Sequence, residues 1–203
     1  MKFTKENIIL GAFSVFMEVG YDMTTISHLQ RGLKISRGGI YRHFENKDAL
    51  FCAVVDEYIF RTFDRILHGF NPDNGVVELI NAFYKKQVTL FVLLSKLEMD
   101  HVSYLNYTAL LFQAAKHYPN FTPRFKKIQN RIVDLWKTAL YNSRDRGEIK
   151  PNLDFHSVAN IYYDILMSDS KNETMGADFA SDMLRHVEDK RIGCYAMYHL
   201  IKA

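Results

Sequence analysis

An all-helical fold is predicted by three features of the sequence. Apolar residues recur three and four positions apart along nearly the whole chain, which is the spacing of one face of an α-helix. There are only four prolines, and no alternation of polar and apolar residues is long enough to indicate a sheet. With 203 residues, 48% of them hydrophobic, the chain can bury one sizeable core or two small cores that share an interface.

Three helices are predicted at the N-terminus, separated by short turns. The first covers about residues 4–19, the second covers about residues 24–34, and the third begins after its N-cap, Ser36. In the third helix, Ile40 and Phe44 lie four positions apart and are expected to face the core. Two short helices braced by a longer first helix form the arrangement that lays a helix in the major groove of DNA.

The rest of the chain is predicted to form longer helices. An amphipathic helix that begins at Lys47 leads to a turn over residues 69–75, which is rich in glycine and asparagine. Further helices are expected at about residues 76–94, 103–117, 122–146, 154–167 and 174–200.

Positive charge is concentrated in the second and third helices. From Thr24 to Lys47, five cations stand against Glu45 alone, so this stretch has a net charge of +4 while the whole chain carries only +3. A local charge of this kind favours an acidic partner. Gly38 and Gly39 raise a question here, because each glycine inside a helix costs about 1 kcal/mol relative to alanine. Either this segment is a loop, or a bare backbone lets DNA approach the start of the third helix.

The same region carries a set of residues at fixed spacing: Thr24-Thr25, Leu29, Ile35-Ser36-Arg37-Gly38, Ile40-Tyr41, Phe44, Asn46-Lys47 and Leu50. Together with the preceding AFSVFMEVGYDMTT, they resemble the helix-turn-helix signature of TetR-type transcriptional regulators. Lys34 stands where that family usually has glycine in the turn. Either the turn holds a left-handed lysine at a cost of about 1 kcal/mol, or its geometry differs.

The resemblance implies a division of labour along the chain. Residues 1–46 are expected to form a helix-turn-helix DNA-binding domain, and residues 47–203 a larger helical domain for effector binding and dimerisation. The protein is then a sequence-specific transcriptional regulator, a repressor that a small-molecule effector releases from a palindromic operator bound by a homodimer. The alternative is an effector-binding or interaction protein of the same fold with weakened or lost DNA binding, which Lys34, Gln30 and Gly32 keep open.

Nine residues form the predicted DNA-binding site: Thr25, Ser36, Arg37, Gly38, Gly39, Tyr41, Arg42, His43 and Lys47. Arg37 and Arg42 are the candidates for reading base edges, because a guanidinium makes two parallel hydrogen bonds to guanine, but both suit phosphates equally well. The resemblance gives the Tyr41 hydroxyl a phosphate partner, and the alternative is a ring packed beside Phe44.

The remaining polar members of this set lie at its edges. Thr25 and Lys47 each stand at a helix start, where they are expected to contact phosphates and position the protein without reading sequence. The alternatives for His43 are reading a base edge, contacting a phosphate or simply being solvated.

Effector binding and dimerisation are assigned to the second part of the chain. An apolar pocket is expected from aromatic residues and one methionine, with a place in the core as the alternative for each: Phe83, Phe91, Tyr104, Tyr107, Phe112, Trp136, Tyr162 and Met167. The last two helices are the dimer candidates, with packing inside one chain as the alternative, through Val158, Ile161, Tyr162, Ile165, Leu166, Phe179, Met183, Val187, Ile192, Tyr195 and Tyr198.

Several other classes of protein are excluded by what the sequence lacks. Cys52 and Cys194 fit neither a disulfide framework nor a metal-ligand spacing, so they indicate a reducing compartment. No signal peptide and no apolar run of about 20 residues is present, so the protein is expected to be cytoplasmic and without a membrane role. No catalytic motif appears among the scattered histidines, so neither enzyme activity nor a cofactor or metal is expected.

Overall fold

The computed structural model describes residues 4–95, 104–168 and 179–203, except for the side chains of residues 91, 93–95, 104–105 and 179–183. These residues confirm the all-helical prediction, and among them no β-strand occurs apart from one isolated bridge between Ile149 and Lys202. The helices are α1 (Lys5–Val19), α2 (Ile26–Leu33), α3 (Arg37–Tyr41), α4 (Lys47–Val55), a π-helical turn (Asp56–Phe60), α5 (Arg61–Leu67), α6 (Val76–Ser95), α7 (Tyr104–His117), α8 (Phe121–Asp145), α9 (Phe155–Met167) and α10 (Phe179–Ile201).

Side-chain caps set the starts of the N-terminal helices. The Thr4 hydroxyl accepts a hydrogen bond from the Asn7 N–H at 3.3 Å, and the Asn46 side chain accepts one from the Ala49 N–H at 2.8 Å. Such caps satisfy backbone donors that have no partner within the helix. Gly20, with φ of +80°, ends α1. Within the described part of the chain, no helix combines the length and the apolarity that a bilayer span needs.

The long helix predicted from Lys47 is interrupted by the π-helical turn Asp56–Phe60. Two tyrosines of later segments bind this turn. The Tyr107 hydroxyl donates to the Tyr58 carbonyl at 3.1 Å, and the Tyr118 hydroxyl donates to the Asp56 carboxylate at 2.8 Å. Because both partners lie about 50 to 60 residues away, local periodicity gave no sign of the interruption.

The chain forms two compact units that are not continuous in sequence. The first consists of Met1–Asp64, Glu98–Thr122 and Gly176–Phe179, and the second of Arg65–Leu97, Pro123–Met175 and Ala180–Ala203. The functional division between residues 46 and 47 stays a prediction.

Aromatic side chains fill the core of the first unit. The Phe13 and Tyr58 rings stack with their centroids 3.9 Å apart, and the Phe16 ring meets the Phe51 ring edge-on at 5.2 Å. These contacts pack α1 against α4 and the π-helical turn.

A column of three stacked rings lies in the core of the second unit. The Trp136 indole stacks on the Phe83 ring at 5.6 Å and on the Tyr162 ring at 4.2 Å. All three side chains are buried, and Trp136 and Tyr162 have no exposed surface. The column joins α6 to the consecutive helices α8 and α9.

Candidate nucleic-acid interface

The turn between α2 and α3 contains a left-handed lysine. Lys34 has φ of 53° and ψ of 39°, and the Ile35 N–H donates to the Gln30 carbonyl at 3.2 Å, as in a Schellman helix end. Of the two expectations for Lys34, the first is therefore correct, and the turn keeps its geometry without glycine. Gly32 allows close packing of α2 on α1, because a Cβ there would lie 2.4 Å from a Val15 methyl carbon.

Replacing Lys34 with glycine should stabilise the protein by about 0.5 to 1 kcal/mol, because glycine adopts the left-handed conformation without steric cost but loses more backbone entropy on folding. Urea unfolding followed by far-UV circular dichroism measures the change. Lys34→Ala is the matched control, since it removes the same side chain and keeps the strain. Equal stability of the two variants would contradict the assignment of strain to Lys34.

Two faces of α3 and its continuation differ sharply. Ile40 and Phe44 are buried, as predicted, and the Phe44 N–H donates to the Ile40 carbonyl at 3.0 Å. Arg37, Tyr41 and Arg42 are exposed on the surface. The Arg37 guanidinium lies 5.4 Å from the centre of the Tyr41 ring, within the range of a cation–π contact. The outward face is therefore cationic and aromatic, and the inward face holds the segment on the core.

The two adjacent glycines have different surroundings. A Cβ at Gly38 would meet nothing within 4 Å, so only an external partner could require a bare backbone there. A Cβ at Gly39 would lie 2.5 Å from a carbon of the Ile35 side chain. The Gly39 N–H also donates to the hydroxyl of Ser36, the predicted N-cap, at 3.2 Å. Packing inside the chain thus accounts for Gly39, and the loop alternative fails because both glycines lie in α3.

Thr25 and His43 lie at the edges of this surface. The exposed Thr25 is the N-cap of α2, where its hydroxyl oxygen accepts the His28 N–H at 3.2 Å and its own N–H donates to His28 Nδ1 at 3.3 Å. The Thr25 hydroxyl still has a proton to donate. His43 is half-buried, just beyond the exposed Arg42.

Lys47 has partners within the chain that the sequence did not suggest. Its Nζ donates to the carbonyls of Tyr21 and Thr24 at 2.9 and 3.0 Å and lies 4.1 Å from the centre of the Tyr21 ring. An ammonium group has three donors, so these two bonds leave one for a phosphate. Lys47 therefore fixes the loop between α1 and α2 whether or not it contacts DNA.

Tyr21 is held on its other side by the next residue of α4. Its hydroxyl donates to the Asp48 carboxylate at 2.5 Å. Burial, followed by this hydrogen bond, raises the pKa of Tyr21 well above its ordinary value, so the phenol stays protonated and keeps donating. Lys47 and Asp48 together clamp one tyrosine between α4 and the start of the helix-turn-helix.

Helix α7 provides a second brace for the same loop. The Gln113 side-chain oxygen accepts the Tyr21 N–H at 2.6 Å, and the His117 ring lies 4.3 Å from the Tyr21 ring. Asp22 pairs with Lys116 at 3.2 Å and with His117 at 2.8 Å. Sequence reasoning missed this network because its partners are about 90 residues apart.

The residues predicted to line an effector pocket are distributed over both units. Phe83, Trp136 and Tyr162 form the buried column of the second unit, where Met167 is half-buried. In the first unit, Tyr107 binds the Tyr58 carbonyl, and Phe112 is 71% exposed. The side chains of Phe91 and Tyr104 lie outside the described part of the structure, as do those of Phe179 and Met183 among the dimer candidates.

Comparison with known sequences identifies the segment that contains this surface. Residues 8–54 match the sequence profile of the bacterial regulatory proteins of the tetR family. This N-terminal segment of the chain is therefore a helix-turn-helix segment of the TetR type. Its TetR-type relatives include the HTH-type transcriptional repressor Rv1474c of Mycobacterium tuberculosis, 43% identical over 53 residues, which are 26% of this chain and 28% of that protein. The HTH-type transcriptional repressor AcnR of Corynebacterium jeikeium is 24% identical over 186 residues, 91% of this chain and 89% of that protein.

Solved TetR-type structures share the fold over nearly the whole chain. A TetR transcription regulator from Haloarcula marismortui has a TM-score of 0.64 at 17% identity and covers 98% of this chain and 97% of its own. SmeT in complex with triclosan has a TM-score of 0.55 at 16% identity and covers 93% of this chain and 90% of its own.

Proposed function

We propose that this protein is a DNA-binding transcriptional repressor of the TetR type. The observation that carries the proposal is the outward face of the α3 segment, where Arg37, Tyr41 and Arg42 are exposed while Ile40 and Phe44 anchor the segment in the core. A cationic helix surface that is exposed to solvent can enter the major groove of DNA. The relatives named as repressors support the same function.

Phosphate contacts come from the edges of this surface in the proposed complex. The Thr25 hydroxyl, the third Lys47 donor and the Tyr41 hydroxyl position the helix on the backbone, and His43 adds a further contact. Arg37 and Arg42 then meet base edges or neighbouring phosphates.

A homodimer and a small-molecule effector complete the proposal. Of the dimer candidates, Ile161 and Ile192 are 43% and 57% exposed, whereas Val158, Tyr162 and Val187 are buried within the chain. The exposed pair, one on α9 and one on α10, offers apolar surface that can meet a partner subunit. An effector is supported by the likeness of the fold to SmeT, which has been solved with triclosan.

Selection of bound fragments from random duplex DNA tests this function. A homodimer should recover an inverted repeat whose half-sites are one helical turn apart, because the symmetry of the protein is mirrored in its site. Affinity for the recovered duplex should fall steeply as salt rises. Recovery of no sequence, with no binding even at low salt, would favour the alternative of an effector-binding protein without DNA binding.

The glycine pair offers a test that separates folding from DNA contact. Gly38→Ala should leave the free energy of unfolding unchanged or raise it by up to about 1 kcal/mol, since alanine favours the helix, yet weaken binding of the selected duplex. Gly39→Ala should lower stability by about 1 to 3 kcal/mol, because its Cβ overlaps Ile35. Urea unfolding and fluorescence anisotropy measure the two properties. Full duplex affinity in Gly38→Ala would exclude close DNA approach at that position.

A further inference from the structure

The buried column of rings in the second unit leaves little room for a ligand beside it. The crevice beside Phe83 and Trp136 has a volume of about 10 Å³, which accommodates about one water molecule. An effector placed there would have to separate rings that stack at 5.6 and 4.2 Å. A site that is already open is a better candidate.

An open groove between α5 and α6 has the size of a small-molecule site. Its volume is about 470 Å³, within the range of about 300 to 1,000 Å³ that is usual for ligand pockets. Its apolar lining comes from Ile66, Ala82 and Leu90. Ile66 and Leu90 are 8% and 7% exposed, so they belong to the floor of the groove and not to its rim.

The polar lining of this groove consists of three cations and one hydroxyl. Arg65 comes from α5, and Lys85, Lys86 and Thr89 come from α6. No carboxylate lines the groove among the residues that the structure describes. A ligand that matches these walls has an apolar body and an anionic head.

Contacts within the chain hold the Lys86 side chain in a position that suits such a ligand. Its ammonium donates to the His68 carbonyl and lies 4.9 Å from the centre of the Phe70 ring. Both contacts hold the side chain in place, but neither partner carries a negative charge that would neutralise it. Two arginines of this unit, Arg146 and Arg191, are paired with Glu78 and Glu188, whereas Lys190, like Lys86, donates to a backbone carbonyl. Because the Lys86 side chain is already held in place, it can bind an anion beside the apolar floor without a further loss of side-chain entropy.

We infer that the effector of this protein is an anionic amphiphile, an apolar body with a carboxylate or phosphate head, bound in the groove between α5 and α6. The cations Arg65, Lys85 and Lys86 hold the head, and the apolar body lies on Ile66 and Leu90. The regulatory role of this ligand rests on the proposed function, whereas its binding in the groove does not. α5 follows α4 and the π-helical turn in the chain without a break, and α4 begins at Lys47.

Calorimetric titration of the full chain without DNA tests the site. The probes are decanoate, decyl phosphate and neutral 1-decanol, each below the concentration at which it aggregates. One or both anionic probes should bind, 1-decanol at least tenfold more weakly, and Lys85→Gln/Lys86→Gln should weaken the anion about tenfold or more. Lys85→Gln alone, at an exposed position, keeps the test valid if the double variant unfolds, and it should weaken binding severalfold.

Lys126→Gln/Lys127→Gln is the matched control, because it removes two adjacent exposed lysines from α8 of the same unit. It should bind the probes like the unaltered protein. Absence of anion binding, equal binding of 1-decanol, or equal weakening in the two double variants would overturn the site. A probe that binds there and leaves the affinity for the selected duplex unchanged would overturn its role as effector, whereas failure to bind any duplex would count against the proposed function alone.

Discussion

Arg42→Ala should lower the affinity for the selected duplex about 10- to 100-fold while the helical content and the free energy of unfolding stay unchanged. Arg42 is exposed and lies just past α3, so its loss removes no core contact. A guanidinium that makes two bonds to a base contributes about 1 to 3 kcal/mol to discrimination, and a phosphate contact contributes less to sequence preference. Fluorescence anisotropy at several salt concentrations measures both the affinity and its salt dependence.

Arg42→Lys distinguishes the two roles that remain open for this residue. Lysine keeps the charge but cannot reproduce the planar fork, so a phosphate role predicts nearly full recovery of affinity and salt slope. A base-reading role predicts that Arg42→Lys recovers the salt slope but has a relaxed sequence preference at one base pair. Lys126→Ala, an equal loss of charge on α8, should bind like the unaltered protein. Unchanged affinity of Arg42→Ala at physiological salt would remove Arg42 from the interface.

Trp136→Ala should reduce the free energy of unfolding by about 3 to 5 kcal/mol, the largest effect of any single substitution that we predict on stability. The indole has no exposed surface and lies between the Phe83 and Tyr162 rings, so alanine leaves a cavity between two rings that cannot close on each other. Urea unfolding followed by far-UV circular dichroism measures the loss, because this chain has a single tryptophan and the variant has none.

Phe112→Ala serves as the control for Trp136→Ala. It also removes a large aromatic side chain from a helix, but Phe112 is 71% exposed, and the change should stay within about 0.5 kcal/mol. A loss below 1 kcal/mol in Trp136→Ala would show that the column contributes little to the core. Comparable losses in both variants would contradict the assignment of the one ring to the core and of the other to the surface.

Helix positions and the orientation of the α3 segment could be predicted from the sequence. The caps at Thr4 and Ser36 each join a side chain to a backbone N–H three residues ahead, so the residue type at one position indicates the bond. Ile40 and Phe44 follow the helical repeat, which placed Arg42 on the opposite, exposed face. These features are local, and a linear pattern contains the information that fixes them.

Coordinates were needed to establish the conformation of Lys34 and to explain why glycine stands at each of positions 38 and 39. The sequence left two conformations open for Lys34. The left-handed conformation costs a lysine about 1 kcal/mol, and the surrounding packing decides whether the residue adopts it. The overlap at Gly39 depends on the Ile35 rotamer, which a sequence does not specify.

The sequence by itself determined the helices, their caps and the cationic outward face, because each depends on residues within about one helical turn of one another. Only the tertiary structure decided which aromatic side chains are core, that Lys47 binds the carbonyls of Tyr21 and Thr24, and that α7 braces Tyr21 through Gln113. Those contacts join residues more than 20 positions apart, in the last case 92. Their formation depends on how the helices pack, which no short stretch of sequence encodes.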